Sequence, residues 1–198
     1  MGEAPRKVAV SDNVRIVPPT TSHIPAIRRL ELEAGVRFAE IGLTSIAESE
    51  PPSTDELSAT IAAGRLLLAI DDGDGDGGDP VGYIQWSIVD GTTHIDQVSV
   101  HPRAAGRAIG RMLMNRVCDD ARARGDDKVT LTTFTTIAWN GPLYERYGFE
   151  ILGDDQLAPE LSEIRLQERS DGLDVLPRAA MYRSLDADDP NTSTRRER

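Results

Sequence analysis

The stretch from His94 to Arg124 determines the predicted fold; it reads HIDQVSVHP, then RAAGRAIG, then RMLMNRVCDDARAR. The first part predicts a strand, the second a turn of small residues, and the third continues an amphipathic helix, predicted over Ile109–Arg124, that ends before Gly125. Gly106, Ala108 and Gly110 leave little side-chain bulk near backbone N–H groups at the positive end of the helix dipole. The turn is therefore predicted to bind a phosphate group.

Regular elements are predicted on both sides of this stretch. Upstream, the patterns indicate strands at Val14–Val17, Arg65–Ile70, Val81–Val89 and after the Asp90–Gly91 turn. They also indicate three helices: one with apolar positions from Ile24 to Ala34, a short one over Val36–Ile41, and one over Ser53–Ala63. The last helix is predicted to be capped by Ser53 or Thr54. Downstream, they indicate a strand at Val129–Thr133, a helix over Gly141–Tyr147, a strand from Phe149, a long polar connection over Gly153–Arg178 and a closing strand at Ala180–Leu185. Three successive antiparallel strands therefore precede the turn.

Length and composition exclude several classes of protein. The chain has 198 residues, a net charge of −11 and one cysteine, Cys118. We expect one domain over residues 13–185 with flexible tails at 1–12 and 186–198, no nucleic-acid partner because of the acidic balance, and no disulfide framework. No signal peptide or membrane-spanning run is recognisable, so a soluble, cytoplasmic protein without membrane association is predicted.

Two patterns suggest metal binding and are rejected on the sequence. Asp72, Asp74, Asp76 and Gly77 match the opening of a calcium-binding loop, but Tyr83 occupies the position of the required glutamate and strands are predicted on both sides. The three histidines, which are His23, His94 and His101, lie far apart in sequence and lack metal-ligand spacing. We therefore predict a hairpin loop and no metal site.

Two motifs in order, VSVHPRAAGRAIGRML and NGPLYERYGF, resemble the GNAT superfamily of acyl-CoA-dependent N-acetyltransferases. The likeness extends from Val14 to about Leu185. It implies an α/β (α+β) fold with a mixed, mostly antiparallel, splayed sheet and helices on both faces. It also implies acetyl-CoA as co-substrate.

The resemblance also implies the residues that bind the cofactor. The backbone of Val98, Ser99 and Val100 would bond the pantetheine arm as an added strand would, and Gly106–Arg111 would bind the diphosphate. The members of that turn are Gly106, Arg107, Ala108, Ile109, Gly110 and Arg111, of which the two arginines are the candidate cations.

The glycine motif departs from the usual pattern of the superfamily. In that pattern Gln or Arg comes first, Gly follows three positions later, and Gly or Ala follows two positions after that. If Gly110 opens the helix, the three positions are occupied here by Ala105, Ala108 and Gly110. A second register over Arg103, Gly106 and Ala108 satisfies the pattern two residues nearer the strand. We prefer the first register, in which the Ala108 methyl group crowds the phosphate.

The resemblance implies catalytic residues on the strand before the turn and in the second motif. Transfer to an amine requires loss of a proton, and His94 and Asp96 match two positions that carry histidines in the serotonin-acetylating branch, where they remove a proton through water. Their alternative role is to fix the strand. Tyr144 matches the general acid that protonates the CoA thiolate, and Tyr147 is the nearer alternative. Asn140 is a CoA contact, the N-cap of its helix, or both.

The sequence thus predicts an N-acetyltransferase that moves an acetyl group directly from acetyl-CoA to a primary amine, whether a small amine, an amino acid or a peptide amino group. The partners would be a small-molecule or peptide amine, and a homodimer remains open. The alternative is a non-catalytic acyl-CoA-binding or regulatory module that kept the fold. The acceptor itself carries no motif.

Overall fold

The computed structural model describes residues 13–72, 78 and 80–186. The predicted N-terminal tail, most of the C-terminal tail and most of the aspartate- and glycine-rich loop lie outside these described residues. The predictions made for them stay predictions.

The elements follow the predicted order except at two helices, Thr44–Ala47 and Pro159–Ser170. The strands are β1 (Val14–Val17), β2 (Leu66–Asp71), β3 (Pro80–Val89), β4 (Thr92–Val100), β5 (Lys128–Phe134), β6 (Glu150–Ile151) and β7 (Arg178–Ser184). The helices are α1 (Ile24–Glu40), α2 (Thr44–Ala47), α3 (Thr54–Ala62), α4 (Ile109–Arg124), α5 (Gly141–Arg146) and α6 (Pro159–Ser170). The predicted helix over Ile109–Arg124 is confirmed at both ends.

The strands form one seven-stranded mixed sheet in the order β1-β2-β3-β4-β5-β7-β6. β4 and β5 are parallel and pair over Thr93–Ile95 with residues 129–131. The pairs β1–β2, β2–β3, β5–β7 and β6–β7 are antiparallel. The two-residue turn between β3 and β4 has positive φ at both Asp90 and Gly91, which is the conformation that the Asp-Gly sequence favours in hairpins.

The described residues fall into two compact units, the first within residues 1–85 and 97–114. In the first unit α1 and α3 pack on one face of β2 and β3. Alternation along β2 places every second side chain on this face, and Tyr83 joins it from β3. The buried members of this core are Ile24, Ile27, Leu30, Leu57, Leu66, Leu68, Ile70 and Tyr83.

The second unit lies within residues 86–96 and 115–198. Here α6 packs through Leu161 against Val89 and Ala180, with Ile164 packed at the edge of the cluster. Its N-terminus is capped from a distance: the Asp90 carboxylate accepts the backbone N–H groups of Glu160 and Leu161 at 3.0 and 2.9 Å. The hairpin turn and the helix are therefore held together by the same carboxylate.

Two predictions are wrong, one of a helix and one of a connection without a helix. No separate helix covers Val36–Ile41, because α1 continues to Glu40 and the short helix starts at Thr44. Gly35 does not break α1; it allows close approach of α2, since a Cβ atom there would lie 3.2 Å from the carbonyl oxygen of Ala47. The connection predicted over Gly153–Arg178 contains α6, whose mostly charged sequence gives little apolar periodicity.

Within the described part of the chain, none of the helices combines the length and the apolar character needed to span a bilayer.

Candidate functional site

The predicted phosphate-binding turn joins β4 to α4 in the first unit. The His101 N–H donates to the carbonyl of Val81, a short 3-10 turn covers Pro102–Ala104, and the backbone then has φ of +79° at Gly106 and +57° at Ala108. Because α4 begins at Ile109, Gly110 lies in its first turn, as the preferred motif register requires.

The start of α4 presents hydrogen-bond donors. The first intrahelical bond runs from the N–H of Met112 to the carbonyl of Ala108 at 3.0 Å. The N–H groups of Ile109, Gly110 and Arg111 precede it, and groups in this position have no acceptor within their own helix. These donors suit the oxygen atoms of a diphosphate, which is the group that acetyl-CoA would bring.

Gly82 allows the strands and the helix to come this close together. A Cβ atom at Gly82 would lie 3.0 Å from the Ile109 side chain and 3.1 Å from the carbonyl oxygen of Ser99. Real Cβ atoms rarely make contacts this short. Gly82 was not predicted from the sequence, although an isolated glycine inside a strand pattern is a signal of close backbone approach.

The side chains around the turn are fixed by ion pairs. Arg107 pairs with the carboxylate of Asp71 at the end of β2, while Arg111 is exposed on α4. His101 accepts the N–H of Arg103 at Nδ1, and its Nε2 lies 2.8 Å from the carboxylate of Glu33 on α1. His101 therefore anchors the turn to α1.

A polar cluster of four side chains lies beside the predicted pantetheine strand. Glu31 of α1 accepts hydrogen bonds from Tyr83 at 2.7 Å, from Ser99 at 2.6 Å and from Gln97 at 2.9 Å. Gln97 also donates to Ser99 at 2.9 Å. Burial and the adjacent carboxylate raise the pKa of Tyr83 far above its usual value, so its phenol stays protonated. This arrangement, called the Glu31 cluster below, was not indicated by the sequence.

The two predicted bases lie in the second unit and have different surroundings. His94 is buried, with 3% of its surface exposed, and its Nδ1 lies 2.8 Å from the hydroxyl of Thr130 on β5. Burial lowers the pKa of His94 to about 4, against a smaller opposing effect of Glu168. Asp96 is exposed, and its carboxylate accepts the Ser87 hydroxyl at 2.8 Å. His94 is thus buried and neutral at pH 7, whereas the Asp96 side chain is exposed to solvent.

Tyr144 lies on α5, also in the second unit. Its ring is edge-on to Phe149, with 6.0 Å between the centroids. Removal from water raises the pKa of Tyr144 to about 12, assisted by Tyr147 and opposed by the positive charge of Arg178. The phenol therefore holds its proton throughout the neutral range, as a general acid must.

Asn140 precedes α5 at the N-cap position, but its side chain makes no capping hydrogen bond. Its Nδ2 donates to the Thr133 hydroxyl at 3.0 Å, and its Oδ1 is buried without a hydrogen-bond partner. Asn140 is therefore the N-cap residue by position, but its side chain does not cap the helix. A buried amide oxygen with unused acceptor capacity fits a ligand N–H, such as the amides of the pantetheine arm.

Helix α6 brings an ion-pair network to the strands that carry these groups. Arg165, which is 4% exposed, pairs with Glu168 and with Asp174, and Arg178 pairs with Glu168 at 2.6 Å. The Arg178 guanidinium also lies 4.6 Å from the centroid of Phe134. The pKa of Glu168 stays below its usual value despite burial because Thr132 and the two arginines hydrogen-bond its carboxylate. Two members of this network affect the predicted catalytic residues: Glu168 acts on the pKa of His94, and Arg178 acts on the pKa of Tyr144.

Among the described residues, no group of three His, Cys, Asp or Glu side chains is arranged to hold a metal ion.

Solved structures with the same fold include acetyltransferases of several kinds. N-acetylglutamate synthase from Neisseria gonorrhoeae, complexed with coenzyme A and N-acetyl-glutamate, matches 87% of the chain at 20% identity with a TM-score of 0.64. The chain spans only 35% of that enzyme. PaiA N-acetyltransferase from Thermoplasma acidophilum in complex with coenzyme A matches 86% of the chain, and 98% of its own length is covered, at 15% identity and a TM-score of 0.63. A GNAT-family acetyltransferase from Staphylococcus aureus Mu50 matches 87% of the chain and is 99% covered, at 16% identity and a TM-score of 0.64.

The family itself is shown by the sequence. The acetyltransferase (GNAT) family model matches residues 36–149, which include the turn, α4 and the second motif. The predicted fold and the predicted enzyme class, an acyl-CoA-dependent acetyltransferase with acetyl-CoA as co-substrate, are thereby confirmed. This chain belongs to the GNAT family of acetyltransferases.

Proposed function

We propose that this acetyltransferase transfers the acetyl group of acetyl-CoA directly to a primary amine, as an N-acetyltransferase. The observation that carries the proposal is the turn before α4, where two positive-φ positions, Gly106 and Ala108, lead into a first helical turn with donors for a diphosphate. Acetyl-CoA supplies an acetyl thioester, which an uncharged amine can attack. No covalent intermediate on the protein is required.

Cofactor binding is assigned to three groups of atoms. The backbone of Val98–Val100 bonds the pantetheine amides, the N–H groups of Gly106–Arg111 bind the diphosphate, and Asn140 offers its buried Oδ1. Arg111 adds positive charge at the surface of α4. Arg107 is held by Asp71, so it contributes charge from a fixed position rather than as a mobile side chain.

Removal of the amine proton is assigned first to Asp96. Its exposed carboxylate can attract an alkylammonium ion and accept a proton through water. His94 is the weaker candidate, because a buried imidazole whose pKa is about 4 takes a proton reluctantly. Its contact with Thr130 supports the alternative role of fixing β4 against β5.

Tyr144 is assigned the role of general acid. Its Oη holds a proton at neutral pH, since its pKa is about 12, and can give it to a thiolate leaving group. Tyr147, the C-cap residue three positions later, is the alternative donor.

The acceptor is proposed only as a class: a small amine, an amino acid or a peptide amino group. The solved relatives act on different members of this class, as the names N-acetylglutamate synthase and ribosomal-protein-S18-alanine N-acetyltransferase, from Escherichia coli, indicate. The net charge of −11 favours a cationic acceptor. We also propose a cytoplasmic location, which the single cysteine supports.

The test measures CoA thiol release from acetyl-CoA with a panel of primary amines. Tyr144→Phe should lower kcat by about 10- to 100-fold, a range typical of a lost general acid, while the Kd for acetyl-CoA stays within about twofold. Tyr147→Phe tests the alternative donor and should leave kcat near that of the unmodified protein if Tyr144 is the acid. Acetyl-CoA binding without turnover of any amine would instead indicate a non-catalytic module.

A further inference from the structure

In the described part of the chain, the Glu31 carboxylate is hydrogen-bonded only by neutral groups. The three groups that donate to the Glu31 carboxylate, from Tyr83, Gln97 and Ser99, are all neutral. Across residues 13–72, 78 and 80–186, no lysine or arginine side chain forms an ion pair with Glu31. Arg28, one turn earlier on α1, does not pair with it either.

The carboxylate also has unused acceptor capacity. A carboxylate offers about four lone-pair positions, and Glu31 uses three of them, two on Oε2 and one on Oε1. The position that remains on Oε1 can accept one further N–H. A partly buried carboxylate with neutral donors favours a cation as its next partner, because its charge is only partly screened by water.

A second acceptor lies on the same face of the sheet. Leu66 pairs with Gln85 and Leu68 with Tyr83, so Gln85 and Tyr83 both project from β3 towards the side that α1 covers. The Oε1 atom of Gln85 is buried and has no hydrogen-bond partner. Buried amide oxygens are usually hydrogen-bonded, so this one marks a place where a donor fits.

We propose that the Glu31 cluster is the recognition site for the ammonium group of a cationic acceptor, with Glu31 and Gln85 accepting its N–H groups. This inference rests on the proposed N-acetyl transfer and gives the enzyme a preference for alkylamines, which bind as ammonium ions at neutral pH and lose one proton through water to the proposed base before attack. Glu31 is then a specificity-determining residue. Tyr83, Gln97 and Ser99 are positioning residues that fix the orientation of its carboxylate.

The experiment compares two amines of different charge. At pH 7 propylamine is almost fully protonated and aniline is neutral, so only propylamine should depend on Glu31. Glu31→Gln should raise the KM for propylamine about tenfold or more, the loss expected for a hydrogen bond to a charged group, with kcat and the KM for aniline within about twofold. The Gln side chain can still accept from Tyr83 and Ser99, so the fold should be kept.

Two further variants control for charge and structure. Glu31→Asp keeps the charge one methylene further away and should recover part of the propylamine affinity. Glu40→Gln removes an exposed carboxylate at the end of the same helix. It should change neither kcat nor the KM for either amine. A thermal-shift titration with propylamine, read without turnover, should show stabilisation that Glu31→Gln abolishes.

The outcomes separate this inference from the proposed function. If Glu31→Gln acetylates propylamine with an unchanged KM, or if propylamine stabilises both proteins equally or neither, the assignment of the Glu31 cluster is overturned while N-acetyl transfer stands. If neither amine releases CoA thiol but propylamine still stabilises only the unmodified protein, ammonium recognition is supported and the proposed transfer reaction is the part that fails.

Discussion

Ala108 has a backbone conformation that its side chain disfavours. Its φ of +57° lies in the left-handed region, where a Cβ atom crowds the following carbonyl. The resemblance places a glycine here in the preferred register, and glycine would adopt this conformation without strain. The chain therefore tolerates strain at the turn to which diphosphate binding is assigned.

Ala108→Gly should raise the free energy of unfolding by about 1 kcal/mol, because release of left-handed strain exceeds the entropy that glycine adds to the unfolded chain. It should also lower the KM for acetyl-CoA by removing the methyl group near the phosphate donors. Ala105→Gly is the matched control, since Ala105 has an extended backbone with φ of −60°, and it should lower stability. Urea denaturation of both variants checks the opposite signs; two changes of the same sign would contradict the strain.

His94 predicts a stability change with pH. Its folded pKa of about 4 lies below the unfolded value of 6.5, so the unfolded state binds more protons between these pH values and stability falls as the pH drops from 6.5 towards 4. The full effect is about 3 kcal/mol at 1.36 kcal/mol per pKa unit. His94→Gln keeps a hydrogen-bonding group for Thr130 and should lose this component. Denaturation at pH 7.0, 5.5 and 4.5 compares the two proteins; parallel pH profiles would show that His94 is not buried in the neutral form.

At the scale of elements, α6 depends on a residue 70 positions earlier in the chain. Asp90 accepts two N–H groups at the start of the helix, and its own N–H donates to the Glu160 carboxylate. This reciprocal pattern is that of a capping box, but it joins the β3–β4 turn to α6 instead of neighbouring residues.

Asp90→Ala should lower the free energy of unfolding by about 2 kcal/mol, since it removes an N-cap and leaves alanine at a φ of +50°. Asp90→Asn tolerates this backbone and keeps one of the two acceptor oxygens, so it should cost about half of that value. Urea denaturation measures the difference, and hydrogen exchange of the Glu160 and Leu161 amides locates it. Equal losses in the two variants would contradict the capping role.

At the scale of the whole molecule, cofactor binding should be coupled to stability. Each compact unit is built from two segments of the chain, and the turn that binds the diphosphate belongs to the first. A ligand that binds only the folded state stabilises the protein by mass action.

Acetyl-CoA at 100 times its Kd should therefore stabilise the fold by about 2.7 kcal/mol. For a chain of this length that corresponds to a rise in Tm of roughly 5–10 °C. S-acetyl-N-acetylcysteamine carries the same thioester but no diphosphate, and at equal concentration it should give little or no shift. A comparable shift with both compounds in a thermal melt would show that the turn contributes little to binding.

The sequence predicted most of the fold because its signals are local. The Asp90–Gly91 turn, the capping residue Ser53, whose hydroxyl accepts the Glu56 N–H at 3.2 Å, and the whole span of α4 follow from backbone preferences of neighbouring residues. α6 was missed because its stability comes from distant groups, namely the cap at Asp90 and the buried ion pairs of Arg165.

For the site, the sequence by itself determined the family, the turn and the candidate residues on β4 and α5, since these lie in continuous motifs whose spacing is visible along the chain. Only the tertiary structure decided that His94 is buried and neutral while Asp96 is exposed, that the Asn140 side chain does not cap its helix, and that Glu31 meets Tyr83, Gln97 and Ser99. The physical reason is that burial and hydrogen bonding depend on side chains brought together from elements up to 68 positions apart, and neither composition nor periodicity records those distances.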